Sequence, residues 1–74
     1  MKIKAELQNG DILETDVPTN SKKIAITTVL EHYPRASILE VDGRDYIGRC
    51  ENTGFPILEG DDYEEDESGV MWHI

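Results

Sequence analysis

Several residue types are scarce in this chain of 74 residues, and each scarcity excludes a class of structure or function. Cys50 is the single cysteine, so no disulfide can form within the chain and the composition is not that of a secreted disulfide scaffold. Long apolar runs are missing, which predicts neither a signal peptide nor a membrane span. We therefore expect a cytoplasmic protein that makes no membrane contact.

Positive charge is missing from the C-terminal third of the chain. Residues 50–74 contain eight of the 16 acidic residues and no Lys or Arg, whereas residues 1–49 hold all seven bases. Because phosphate binding depends on Lys and Arg, a net charge of −9 argues against direct binding of nucleic acid. An acidic surface of this kind favours a basic protein as the partner.

Catalytic motifs are also missing. The chain has no phosphate-binding glycine loop and no nucleophile elbow, and a single domain of this size has little room for an enclosed pocket. Cys50 with His32, or Cys50 with His73, could pair a nucleophile with a base, but no third orienting group accompanies either pair. The sequence therefore does not predict an enzyme.

Polarity alternates along residues 2–8, the period of a half-buried strand, and Asn9-Gly10 then signals a β-hairpin. A two-residue turn would place acidic side chains on the apolar face of this hairpin. A three-residue loop over residues 8–10, with Gly10 in the left-handed conformation, keeps that face apolar and sets lysine opposite acid. The favoured register pairs Ala5 with Leu13, Ile3 with Thr15, Lys4 with Glu14 and Lys2 with Asp16.

Residues 22–33 are predicted to form a helix, because their apolar positions recur at i, i+3, i+4 and i+7. Thr19, Asn20 or Ser21 can cap its N-terminus, and Pro34 ends it. The β-branched residues within this segment leave a strand as the alternative.

Two further strands are predicted, at residues 37–41 and, after an Asp42-Gly43 turn, through Tyr46 and Ile47. The chain is thus expected to be a single α+β domain over residues 1–74. Residues 1–49 form a ββαββ body with the helix on one sheet face, and residues 50–74 form an acidic C-terminal hairpin.

The segment from Cys50 to His73 resembles a zinc knuckle of the zinc-ribbon and LIM-like kind, in which Cys-x-x-Cys-Gly-x-Pro-Ile precedes an acidic or aromatic stretch. Gly54, Pro56 and Ile57 match that pattern, and Cys50 and His73 stand in ligand positions. Thr53 replaces the second cysteine of the knuckle. The resemblance implies a hairpin fold, with Cys50 and His73 as weak candidate zinc ligands.

Two outcomes are open for this degenerate knuckle. In the first, no cofactor is bound and apolar packing takes the place of zinc, through Phe55, Ile57, Leu58, Val70 and Trp72. In the second, zinc binds and is completed by His32 or by a second copy of the chain, which would make the protein a zinc-dependent regulator.

Seven of the nine residues from Glu59 to Glu67, here called the acidic segment, are Asp or Glu. It is read either as a solvated loop joining two strands or as a surface for a basic protein. A calcium loop is not supported, since counting from Asp61 puts Asp66 where glycine is required and Trp72 where glutamate is required. The predicted partner-binding residues are Glu59, Asp61, Asp62, Tyr63, Glu64, Glu65, Asp66 and Glu67.

The small size, acidity, lone cysteine and degenerate knuckle are together similar to accessory proteins encoded by phages and other mobile elements. That resemblance implies an inhibitor or regulator of host nucleic-acid machinery, and hence a viral DNA mimic that binds a basic protein. The alternative, from a different class, is a structural or assembly module that forms a homodimer or larger homo-oligomer through its sheet edge or apolar surface.

Overall fold

The structure is a computed structural model that describes the whole chain, Met1–Ile74. It contains one helix and seven strands in a mostly antiparallel arrangement, which confirms the predicted small α+β fold. The elements are β1 (Lys2–Glu6), β2 (Ile12–Asp16), α1 (Lys22–His32), β3 (Ser37–Val41), β4 (Arg44–Arg49), β5 (Pro56–Leu58), β6 (Tyr63–Glu65) and β7 (Met71–His73).

The larger sheet has the strand order β2-β1-β3-β4-β5, and each neighbouring pair is antiparallel. Strand β5 comes from the C-terminal segment, whose other strands, β6 and β7, form a separate two-stranded sheet. The prediction of one hairpin over residues 50–74 is therefore wrong in its bounds. Ile57 and Leu58 are both fully buried, so β5 needs cover on both faces and joins the body sheet instead.

The β1–β2 hairpin has the predicted register, with Ala5 opposite Leu13 and Lys4 opposite Glu14. The Leu7 amide donates to the Asp11 carbonyl at 2.8 Å, and Gly10 takes a φ of 91°, so the loop has three residues as expected. The lysine–acid contacts differ from the prediction, however. The charged groups pair elsewhere, Lys4 with Glu40 at 3.5 Å and Asp16 with the N-terminal ammonium at 2.8 Å.

Helix α1 confirms the predicted helix and replaces the strand alternative. The Ser21 hydroxyl accepts a hydrogen bond from the Ile24 amide at 3.3 Å, and Tyr33, directly before Pro34, caps the other end. Since α1 spans only 11 residues, no helix of this chain has the length and apolarity needed to cross a membrane.

The main core lies between α1 and one face of the larger sheet. It holds eight buried residues, of which three come from the helix and the others mostly from the sheet: Ile3, Ala5, Val17, Ala25, Ile26, Val29, Val41 and Leu58. Ile57 and Cys50 are equally buried but lie outside this cluster. Cys50 bridges to Met71 of β7, and the Met71 side chain packs against Gly48 of β4.

The N-cap of α1 gives a first prediction. Replacing Ser21 with Ala removes the acceptor for the Ile24 amide and is expected to lower the free energy of unfolding by about 1 kcal/mol. Urea unfolding followed by circular dichroism measures the change. Thr27→Ala is the matched control, because Thr27 is exposed within α1 and caps nothing. An equal loss in both variants would contradict the assigned cap.

Candidate functional site

The acidic segment is an ordered part of the fold and not a free loop. It begins at the turn after β5, continues through β6 and ends in the turn that joins β6 to β7. The description of Glu59–Glu67 as a loop is therefore wrong, because the pairing of β6 with β7 fixes Tyr63 opposite His73 and Glu64 opposite Trp72.

Arg44, the first residue of β4, fixes the start of the acidic segment. Its guanidinium donates to the Glu59 carbonyl from Nε at 2.9 Å and from Nη2 at 2.7 Å. The same Nη2 donates to Asp61 Oδ1 at 2.6 Å. Asp61 is thus paired with a base from the body of the protein, although residues 50–74 contain no Lys or Arg.

The second carboxylate oxygen of Asp61 is also used within the chain. It accepts a hydrogen bond from the Leu58 amide at 2.9 Å, and the His73 ring nitrogen Nε2 lies 3.6 Å from it. The Leu58 amide and the Arg44 guanidinium together lower the pKa of Asp61 from 3.8 to about 2. Asp61 therefore holds the segment in place, and its carboxylate is not free to meet a partner.

Asp66 shapes the turn between β6 and β7. One oxygen of its carboxylate accepts from the Ser68 hydroxyl at 2.7 Å, the Ser68 amide at 2.9 Å and the Val70 amide at 3.0 Å. These bonds lower the pKa of Asp66, with the Ser68 hydroxyl as the main cause. The Asp-Glu-Ser-Gly sequence at residues 66–69 is a turn signal of this kind, which sequence reasoning missed.

The other acids of the segment face solvent. Glu59, Asp62, Glu64, Glu65 and Glu67 are exposed, and none of them forms an ion pair. The predicted site thus divides into two structural acids, five free acids and the half-buried Tyr63. Nothing in the composition of the segment separates these groups, since the partner that distinguishes Asp61, Arg44, lies 17 residues away along the chain.

The Cys50 turn is closed by a hydrogen bond within it and buries the thiol. The Gly54 amide donates to the Cys50 carbonyl at 2.8 Å, and the Cys50 thiol, only 1% exposed, accepts from the His73 amide at 3.4 Å. Hydrogen bonding by the Thr53 side chain, followed by that of the His73 amide, lowers the pKa of Cys50 to about 6.

The structure does not bring His32 to the Cys50 turn, where the sequence placed it as a candidate zinc ligand. Lys23 donates to the Thr53 carbonyl at 3.3 Å, which places the first turn of α1 beside the Cys50 turn. His32 lies at the other end of the helix, about 14 Å further along its axis. The same distance excludes Cys50 and His32 as a nucleophile and base.

No group of three or more His, Cys, Asp or Glu side chains is placed to hold a metal ion. The imidazole of His73 is directed at Asp61, while only its backbone amide contacts the Cys50 sulfur. The apolar packing predicted in place of zinc is present at Ile57 and Leu58, both fully buried. It is wrong for Phe55, which is 49% exposed and lies 5.3 Å from the Lys23 ammonium.

Comparison of this chain with protein-family models, with curated proteins and with solved structures gave no match in any of the three.

Asp61→Asn is expected to lower the free energy of unfolding by about 1–2 kcal/mol, because it weakens a charge-assisted contact with Arg44 that is partly open to solvent. Urea unfolding measures the loss. Asp62→Asn is the matched control, since the Asp62 side chain is exposed and accepts no hydrogen bond. A similar loss in both variants would show that Asp61 has no special structural role.

The stability difference between wild type and Asp61→Asn is also expected to depend on pH. Folding lowers the pKa of Asp61 from 3.8 to about 2, so the folded state binds this proton less readily than the unfolded state. The stabilisation by Asp61 is thus complete above pH 3.8 and is lost as the pH falls towards 2. The stability difference between wild type and Asp61→Asn should shrink over that range, measured by urea unfolding at each pH. A difference that stays constant across it would contradict the assignment.

Proposed function

We propose that this chain is a non-enzymatic binding protein that presents the acidic segment to a basic surface of another protein. The observation that carries the proposal is that the acids of the segment have two different roles. Asp61 and Asp66 fix the backbone of the segment through hydrogen bonds, while five carboxylates remain exposed without a counter-ion. A surface ordered before binding loses less conformational entropy when the complex forms.

The run of acids favours a protein that ordinarily binds nucleic acid. Glu64, Glu65 and Glu67 are free acids within four residues, and Glu64 and Glu65, which are consecutive in strand β6, point to opposite faces of it. Arg and Lys side chains arranged for phosphates would therefore find a match in the sign of charge on both faces of β6.

Competition with nucleic acid is the mechanism that follows from this match. A chain that occupies the basic groove of a nucleic-acid-binding protein excludes DNA or RNA from it, and this is the action of an inhibitor of the phage type. The setting is the cytoplasm, where such proteins contact nucleic acid. Charge attraction accelerates encounter with the groove, and added salt screens it.

Neutralising free acids of the segment tests the proposal. The variant Glu64→Gln/Glu65→Gln is expected to reduce the association rate with the basic partner roughly tenfold at low salt, because electrostatic steering is weakened. The partner is first recovered by pull-down from the cells in which the protein acts. Surface plasmon resonance at several salt concentrations then gives the rates, and displacement of labelled DNA from the partner tests competition.

A control of equal net charge separates this site from general acidity. Glu6→Gln/Glu31→Gln removes two exposed glutamates from the body of the protein and should leave the association rate nearly unchanged. Equal effects of the two double variants, or association that does not respond to salt, would reject the acidic segment as the binding surface.

A further inference from the structure

Strand β2 forms an open edge of the larger sheet. In the β1–β2 ladder the hydrogen-bonded partners are the odd-numbered residues, as shown at its two ends by Val17 bonding to Met1 at 2.8 Å and Leu7 bonding to Asp11 at 2.8 Å. The backbone amides and carbonyls of Ile12, Glu14 and Asp16 therefore point away from the sheet, and no other backbone group bonds to them.

The opposite edge of the same sheet is closed by the chain itself. At β5 the Leu58 amide donates to Asp61 Oδ2 at 2.9 Å, and the Leu58 carbonyl accepts from the Asp61 amide at 3.0 Å. Of the two edges, β2 is therefore the one with backbone groups available to an added strand, and its five residues are enough for a short ladder.

Charge on the outer face of β2 defines part of the occupant. Glu14 is exposed and has no ion pair, because the lysine opposite it, Lys4, is paired with Glu40 at 3.5 Å. Asp16 shares its charge with the N-terminal ammonium, yet its side chain remains 71% exposed. A strand added beside β2 would place its outer side chains next to these acids, which favours Lys or Arg there.

The inner face of β2 defines the remaining side chains of the occupant. A groove of about 280 Å³ runs between β2 and the end of α1, with Leu13, Val17, Val29 and Tyr33 among its lining residues. Side chains of an added strand that alternate with the basic ones would enter this groove, which favours apolar residues there. The protein already pairs β2 with such a pattern on its other side, since β1 begins Lys2-Ile3-Lys4-Ala5.

A second copy of the chain does not suit this edge through its own β2. That strand contains Glu14 and Asp16 and no base, so two copies of it side by side would bring acids together without compensation. Repulsion between these acids disfavours a homodimer formed through the β2 edge of the sheet.

We propose that the β2 edge binds an extended segment of another protein in which Lys or Arg alternates with apolar residues, added as a sixth strand of the larger sheet. This surface is separate from the acidic segment. It lies at the other end of the five-stranded sheet, about 19 Å from β5 at the usual spacing of strands.

A short amidated peptide of alternating lysine and valine is the probe. Nuclear magnetic resonance titration of the full chain should shift the amides of Ile12, Glu14 and Asp16 most strongly, and their hydrogen exchange should slow. A peptide of the same pattern with glutamate in place of lysine, and a lysine peptide methylated on alternate backbone nitrogens, should both bind far more weakly. Shifts centred on β6 and β7 instead would overturn the proposal.

Two variants separate the backbone from the charge. Glu14→Pro removes an outward amide that the fold does not use and should weaken peptide binding about tenfold, the equivalent of roughly one net hydrogen bond. Glu14→Gln leaves the backbone unchanged, so it tests the site even if the proline variant misfolds. It should weaken binding severalfold at low salt and little at high salt.

The acidic-segment variant Glu64→Gln/Glu65→Gln is the control that keeps the two sites distinguishable, and it should leave peptide affinity nearly unchanged. Equal affinity of wild type and both Glu14 variants would reject the β2 edge. So would self-association of the free protein, measured by light scattering, with slowed exchange at the β2 amides, because a second copy would then occupy the edge.

Discussion

The contact between Arg44 and Asp61 joins the parts of this molecule that sequence alone leaves separate. Through it the first residue of β4 holds the turn after β5, and Asp61 at the same time caps the Leu58 amide at the sheet edge. The His73 ring of β7 lies on the same carboxylate. One acid thus links the larger sheet, the smaller sheet and the acidic segment, so the geometry of the exposed acids depends on a carboxylate that is bonded within the fold.

The sequence predicted the elements whose causes are local. The three-residue loop at Gly10 and the cap at Ser21 are set by residues a few positions apart, and alternation then fixed the β1–β2 register. The sequence did not predict that β5 completes the larger sheet. That outcome depends on the burial of both Ile57 and Leu58, of which Leu58 joins the core beneath α1, and those contacts are distant along the chain.

For the candidate site, composition identified the segment but not the roles of its residues. Asp61 and Asp62 are adjacent and identical, yet one is bound by Arg44 and the other is exposed. Their difference arises from a β-turn and a long-range guanidinium contact, neither of which alternation or spacing records. The role of Asp66 could have been predicted from the sequence, since an aspartate ahead of Ser68-Gly69 is a turn pattern with a known hydrogen-bonding mechanism.

Packing and hydrogen bonds hold the Cys50 turn in shape. A small domain often needs a metal or a disulfide to supplement its core. Here β7 lies across the turn, with the Glu51 amide bonded to the Met71 carbonyl at 2.8 Å and the His73 amide on the thiol. The Met71 side chain packs over Gly48, where an added Cβ atom would force that side chain to move. These contacts between residues distant along the chain anchor the β6–β7 hairpin that carries the acids, and they join it to the larger sheet.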